Sequence, residues 1–192
     1  MKRKLKIGII GAGNIGSALV RHFTRLGHDV AVANSRGPET LADFAKATGA
    51  EPVTVDEAPR GRDVVVVTIP EAKIPSLPRG LFKETDGCVV IDTGNYYPRN
   101  RDGKIEGIEN GITESRWVEQ QLEHPVVKVF NNIYAEHLQK LGKPPGTPGR
   151  IALPVSGDDQ KAKALVMELV DSMGFDPVDA GSLDESWRQQ PG

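Results

Sequence analysis

The sequence predicts an α/β fold with a doubly wound, mostly parallel sheet and a C-terminal strand–helix–strand extension. Three observations carry that expectation. Short apolar runs alternate with helical patterns along the chain, as a parallel sheet covered on both faces requires. DVVVVTI at Asp63–Ile69 is apolar at successive positions, the mark of a strand buried on both sides. IGIIGAGNIGSALVRHF then places a glycine-rich turn between a strand pattern and a helix pattern at the start of the chain.

The elements follow in order. Leu5–Ile10 reads as the first strand, and Ile15, Leu19, Phe23 and Leu26 mark the inward face of the next helix, which Gly27 ends. Asp29–Ala33 is the second strand. Pro38 opens a helix with Leu41, Phe44 and Ala45 inward, closed by Gly49, and a weak strand follows at Glu51–Val55. After Asp63–Ile69, closed by Pro70, the pattern predicts a poorly defined helix near Ile74–Phe82 and a strand at Cys88–Asp92. A long glycine- and charge-rich segment leads to a helix at Thr113–Leu122, a strand at Val126–Phe130 and a helix at Ile133–Leu141. GKPPGTPGR (Gly142–Arg150) must be a loop. Ile151–Val155, Asp159–Met173 and Asp176–Asp179 form the closing strand, acid-capped helix and strand, after which GSLDESWRQQPG shows no further element.

The 192 residues suffice for one well-cored domain, and no internal boundary is visible, so residues 1–192 read as a single unit. The 26 Asp and Glu nearly balance the 24 Lys and Arg, for a net charge of -2, which gives no footprint for nucleic acid. The short basic start (Lys2, Arg3, Lys4) reads as a solvated terminus. No apolar run approaches the length of a membrane span, and the expectation is a cytoplasmic protein without membrane or nucleic-acid partners. The single Cys88 lies in an apolar strand pattern and reads as core. His22, His28, His124 and His137 show no clustered spacing, so no metal site is expected.

Gly11, Gly13 and Gly16 have the G-x-G-x-x-G spacing of a Rossmann dinucleotide turn. The first permits the tight turn, the second lets backbone approach a pyrophosphate, and the third lets the helix pack close to the strand. With Asn14 and Ile15 they are the expected contacts at the helix N-terminus. About twenty residues on, an NAD site would carry an Asp or Glu for the ribose. Here the second strand ends in Asn34, Ser35 and Arg36, with Thr40 one turn later. A 2′-phosphate wants hydroxyl, amide and guanidinium donors and no carboxylate, so the expected cofactor is NADP(H).

Ligands of an open parallel sheet bind outside the carboxyl ends of its strands. Those ends carry Thr68, Ile69 and Pro70; then Asp92, Thr93 and Asn95; then Asn131 and Ile133. They are the expected contacts of the nicotinamide half, with Pro70, Asn131 and Ile133 arranging the reacting groups. Bland roles also fit: Asp92 capping backbone, Asn95 holding a turn, His137 on a helix surface. No nucleophile motif and no obvious general acid is present. That suits hydride transfer between two heterocycles, where positioning matters more than acid–base help.

IGIIGAGNIG, ANSRGPETL, VVVVTIP, DTGNYYP, VKVFNNI and LPVSGDD with a late DAG together resemble the NADPH-dependent reductases of coenzyme F420. The oxidoreductase domain of the STEAP metalloreductases is similar in its serine–arginine and FN-x-I motifs. The resemblance covers nearly the whole chain. It implies NADP(H) across the glycine turn, with its 2′-phosphate near Ser35 and Arg36. It also implies a deazaflavin stacked beside the nicotinamide at Ile69-Pro70 and Asn131-Asn132-Ile133, and chains that continue past SWRQQPG. Tyr96–Glu123 and Gly142–Arg150 fit the family less closely, which leaves a flavin or a ferric chelate open as the small-molecule redox partner. Two further readings stay open. One is reduction of a small imine or carbonyl with Tyr96, Tyr97 or His137 as proton donor. The other is a non-catalytic NADP(H) sensor or docking module with Tyr96–Glu123 as its interface. A homodimer is the default expectation for such a chain.

Overall fold

The computed structural model describes residues 3–85 and 87–191, so Lys2 of the basic start lies outside it. Strand β1 (Lys6–Ile10) sits inside a six-stranded sheet. Its neighbours are β2 (Asp29–Ala33), β3 (Glu51–Pro52), β4 (Val64–Val67), β5 (Val89–Asp92) and β6 (Val126–Lys128). The spatial order is β3-β2-β1-β4-β5-β6, and every pairing is parallel. This is the doubly wound Rossmann order, with the chain reversing its direction of progress between β1 and β4. Ile9 pairs with Val32 on one side and Val66 on the other.

The apolar runs earn their place by burial on both faces. Val64–Val67 are all at most 1 % exposed, and each such valine stabilises the fold by roughly 1.5–3 kcal/mol before entropy is counted. Helix α1 (Asn14–Arg25) turns Ala18, Leu19, Val20 and Phe23 into the core. Leu26 departs from the expected face: it is the C-cap and is 41 % exposed, because the helix has already ended there. The helix from Pro38 divides into a 3-10 turn (Pro38–Leu41) and α2 (Ala42–Thr48), closed by left-handed Gly49. The weak strand shrinks to Glu51–Pro52.

The expected helix near Ile74–Phe82 is instead a 3-10 turn over Glu71–Ser76 followed by turns; Pro75 and Pro78 leave no room for an α-helical ladder. Beyond β5 come a π-turn (Pro98–Asp102), the short α3 (Glu106–Glu109) and α4 (Glu114–Leu122). Helix α5 (Ala135–Lys140) packs on α1, where buried His22 Nε2 lies 2.6 Å from the Leu138 carbonyl oxygen. Arg25 donates to His22 Nδ1, so the imidazole gives its Nε2 proton to Leu138. Burial, opposed by the Leu138 hydrogen bond, holds this histidine below its ordinary pKa.

The extension forms as the sequence predicts. β7 (Ala152–Val155) and β8 (Asp176–Asp179) pair in parallel across α6 (Gln160–Ser172). The Asp159 carboxylate caps α6 by accepting from the backbone N–H groups of Lys161 and Ala162. An antiparallel bridge between Lys128 and Ser156 ties the end of β7 to the end of β6. The stretch after β8 is not featureless. It forms a 3-10 turn (Asp184–Gln189) that buries Leu183, Ser186 and Gln189 against the strand ends. Among the described residues no helix is long and apolar enough to cross a membrane, and no three His, Cys, Asp or Glu are placed to hold a metal ion.

Candidate functional site

The site begins at the turn from β1 to α1. Gly11 has φ +113°, and a Cβ there would run into the Thr68 carbonyl oxygen at the end of β4. A Cβ at Gly16 would strike the Gly11 carbonyl oxygen, so α1 could not sit this close to β1. Gly13 differs: nothing lies within 4 Å of where its Cβ would be, and as N-cap it offers no side chain to the helix N–H groups. Two glycines thus serve packing, and the third leaves an open approach to uncapped backbone donors. A phosphate fits that cradle.

At the end of β2 the side chain of Asn34 folds the turn. Its Oδ1 accepts from the Arg36 N–H, and its Nδ2 donates to Thr40 Oγ1, whose hydroxyl donates in turn to the Gly37 carbonyl. Asn34 and Thr40 therefore support the turn, and Ser35 and Arg36 are the side chains it exposes. The guanidinium of Arg36 has no protein partner among the described residues. A donor set without a carboxylate partner fits a 2′-phosphate.

The remaining strand ends meet at a pair of amides. Asn95 Nδ2 donates to the Asn131 carbonyl, and Asn131 Nδ2 donates to Asn95 Oδ1 and to the Gln189 carbonyl. Asn132 donates to the same Gln189 carbonyl. Phe130, just before the pair, has φ +69° although it is not a glycine, while its ring is 1 % exposed. Such a conformation costs of order 1–3 kcal/mol in a residue with a Cβ, and here it turns the backbone of Asn131 toward Asn95. Thr68, Ile69, Pro70 and Ile133 are half-buried at the same edge, with Ile133 packed on the core.

Asp92 and Thr93 depart from the expectation of cofactor contacts. Thr93 is 7 % exposed and donates to the Val67 carbonyl. Asp92 is 1 % exposed and turned inward. Its carboxylate accepts from Lys128 Nζ at 3.1 Å, Ser115 Oγ at 2.7 Å and the Gly94 N–H at 2.8 Å. Capping, the bland role, is what its contacts describe. Of the donors considered for imine reduction, Tyr96 has its hydroxyl engaged, donating to Glu109 and accepting from the Ile105 N–H, while Tyr97, whose ring lies under Arg101, and His137 are exposed.

Asp92 opens onto a charge cluster that motif reading missed. Lys128 is 0 % exposed, donates to the Gly94 carbonyl at 2.6 Å, and lies 3.9 Å from Glu114 Oε2. Glu71 is also 0 % exposed, and neither of its carboxyl oxygens has a hydrogen-bond partner among the described residues. Burial, reinforced by Asp92, pushes Glu71 up to about 9 against the pull of Lys128. Burial likewise raises Glu114 to about 7, again opposed by Lys128. Burial works against the Lys128 charge, but Asp92, Glu71 and Glu114 outweigh it and hold this amine above its ordinary value. One signal was present in the sequence: VVKVF puts a lone cation inside an apolar strand, where it must find partners. Glu114 gave none, because an acid in the first turn of a helix has an ordinary explanation.

The sequence pattern of the family described as NADP oxidoreductase, coenzyme F420-dependent, matches residues 6–96, from β1 to the Tyr beyond β5. The chain belongs to this F420-dependent NADP oxidoreductase family. Its fold is that of a hypothetical protein, SMa0349, from Sinorhizobium meliloti, at TM-score 0.78 and 31% identity over 94% of this chain and 87% of that one. A protein from Arthrobacter sp. fb24, provisionally described as an F420-dependent NADP-reductase, superposes at TM-score 0.75 and 21% identity over 96% and 88% of the two chains. The metalloreductase STEAP3 of Rattus norvegicus is 28% identical over 183 residues, 95% of this chain and 35% of that protein. The chain thus spans about a third of the length of the curated relatives it matches. The family match ends at Tyr96, so Glu114 and Lys128 lie outside it, on segments that complete the strand-end site.

Proposed function

We propose that the protein is an NADPH-dependent oxidoreductase that exchanges a hydride with a planar redox cofactor, coenzyme F420 in the first place and a flavin in the second. The observation that carries the reading is the turn after β2. It exposes Ser35 and an unpartnered Arg36 where an NAD site would hold a carboxylate. Bound there, NADPH supplies the hydride chemistry. The chain's own residues bind and orient. The N–H groups of the α1 N-terminus face the pyrophosphate past Gly13, and Arg36 and Ser35 take the 2′-phosphate. Pro70 and Ile133 wall the strand-end groove, and the Asn95–Asn131 pair fixes its depth.

Family membership and the all-parallel switch-point sheet support this assignment, and the mutual amide pair gives the groove the rigidity that positioning catalysis needs. Arg36→Ala tests the cofactor half. NADPH affinity should fall by roughly 1.5–3 kcal/mol, as expected for hydrogen bonds to a charged group, while NADH affinity stays within about twofold. Equal losses for both nucleotides would refute it. The second substrate is tested by following NADPH oxidation with coenzyme F420, FMN, a ferric chelate and small imines in turn. Turnover with F420 or FMN supports the reading, and imine turnover alone replaces it. NADPH binding without turnover on any of them assigns the protein to a sensor role.

A further inference from the structure

A pocket of about 480 Å³ opens at Tyr96, one residue beyond Asn95, and is lined by the π-turn after β5 and the end of the C-terminal turn. Tyr96, Tyr97 and Arg99 line it, together with Glu114, Gln190 and Pro191. The walls are fastened to the strand ends. Arg101 donates to the Asn95 carbonyl, Asp102 accepts from the Tyr97 and Ala72 N–H groups, and Gln190 Oε1 accepts from the Glu114 N–H. The pocket therefore belongs to the same edge as the hydride groove, and the matched family pattern stops at its first residue.

Charge balance beneath the pocket is uneven. Asp92, Glu71 and Glu114 surround one ammonium, Lys128, and all four groups are 2 % exposed or less. Lys128 with Asp92 forms a neutral, hydrogen-bonded pair. Two more ionised carboxylates would then be buried without compensation, at a cost no fold of ordinary stability sustains. The cluster must hold protons. Glu71 and Glu114 are both buried, and of the acidic residues in the cluster Glu114 is the one that borders the pocket.

We propose that the planar hydride acceptor seated in the strand-end groove extends into this pocket and that Glu114 gives the acceptor its proton. The inference rests on the hydride-transfer reading above and supplies the half of the reaction that reading leaves open. A two-electron acceptor A becomes AH2 by taking one hydride from the nicotinamide C4 and one proton from a donor. The hydride carries both electrons and leaves NADP⁺. The O–H bond of Glu114 breaks as the new bond to a ring heteroatom of A forms, leaving Glu114 as a carboxylate beside Lys128. Solvent entering the pocket reprotonates it after product leaves. Lys128 and Asp92 from the sheet, Glu71 from the turn after β4 and Asp102 from the π-turn set the poise of this carboxyl. Arg99 lies on the solvent side of the pocket, where an anionic tail of the acceptor would meet it.

The test begins without turnover. Binding of FMN and of coenzyme F420 to the NADP⁺-loaded protein is followed by fluorescence from pH 5.5 to 9. Protonated Glu114 donates a hydrogen bond to the oxidised ring, so affinity should fall roughly fivefold to tenfold across a midpoint near 7. In Glu114→Gln the affinity should lose its pH dependence. Turnover should show the same midpoint in the wild type, and Glu114→Gln should lower kcat by about a hundredfold at pH 6 while the KM for NADPH holds. Glu114→Asp should restore part of kcat with a displaced midpoint, which a merely structural role would not produce. If the Gln variant fails to fold, the wild-type profiles decide: flat binding and flat kcat between pH 6 and 8 overturn the proposal. Binding and turnover that depend on pH identically in wild type and Glu114→Gln overturn it as well. If neither probe binds or reacts while NADPH does bind, the hydride-transfer reading itself falls, and the role of Glu114 falls with it.

Discussion

Glu71 shows what one side chain can cost. It keeps its proton up to about 9, whereas an ordinary glutamate loses it near 4.5. The folded state therefore binds a proton that the unfolded chain releases, and stability declines as pH rises from about 4.5 to about 9. Glu71→Gln keeps the shape of the protonated carboxyl and removes the titration. The urea midpoint of this variant should still fall as Glu114 titrates up to about 7, and should be nearly flat from there to pH 9, where the wild type continues to decline. At pH 8 it should exceed the wild type by an amount worth at least about 1 kcal/mol, since one pKa unit is worth about 1.4. A wild-type midpoint that rises with pH over this window would show that Glu71 is ionised in the fold. Phe130 carries the opposite sort of burden: its left-handed backbone is held by the burial of its own ring and by the amides on either side of the groove.

The helices and strands differ in how much of them was legible beforehand. β2 falls where its apolar run puts it, because a strand buried on both faces has few other sequences open to it. The stretch after Pro70, where the pattern predicts a poorly defined helix near Ile74–Phe82, forms a 3-10 turn instead. Its apolar residues have helical spacing, but Pro75 and Pro78 forbid the hydrogen-bond ladder and periodicity does not register that. The dinucleotide turn was readable because each glycine has its own steric reason. Glu114 and Lys128 were not, because they meet only when α4 packs on β6, and Gln189 was not, because its partners Asn131, Asn132 and Ser156 lie on distant segments. Asp159 is a case where local chemistry was enough. Its carboxylate caps α6 on the far side of the extension from the glycine turn, so Asp159→Ala should cost about 1 kcal/mol in denaturant unfolding and leave NADPH affinity unchanged. A loss of NADPH binding at equal stability would mean that α6 communicates with the groove.

Taken together, the sheet and its extension divide the site between two kinds of fastening. On the acceptor side the strand ends themselves are clasped by neutral groups: Asn95, Asn131, Asn132 and Gln189 exchange amide hydrogen bonds, and Gln189 Nε2 donates to Ser156 Oγ on β7's end. The nucleotide side ends in Arg36, a charge standing in water. Ionic strength should separate the two. Mobile ions screen an exposed charge over about 10 Å at 0.1 M salt, and they barely touch buried neutral bonds. Raising salt from about 0.05 to about 0.5 M should therefore raise the Kd for NADPH severalfold, with much less change for NADH. An equal salt response for the two nucleotides would place the 2′-phosphate away from Arg36. Where the second substrate is uncharged, its affinity should stay level over the same range. The amide clasp would then make brine a selective handle, loosening the hydride donor while the seat of its partner keeps its shape.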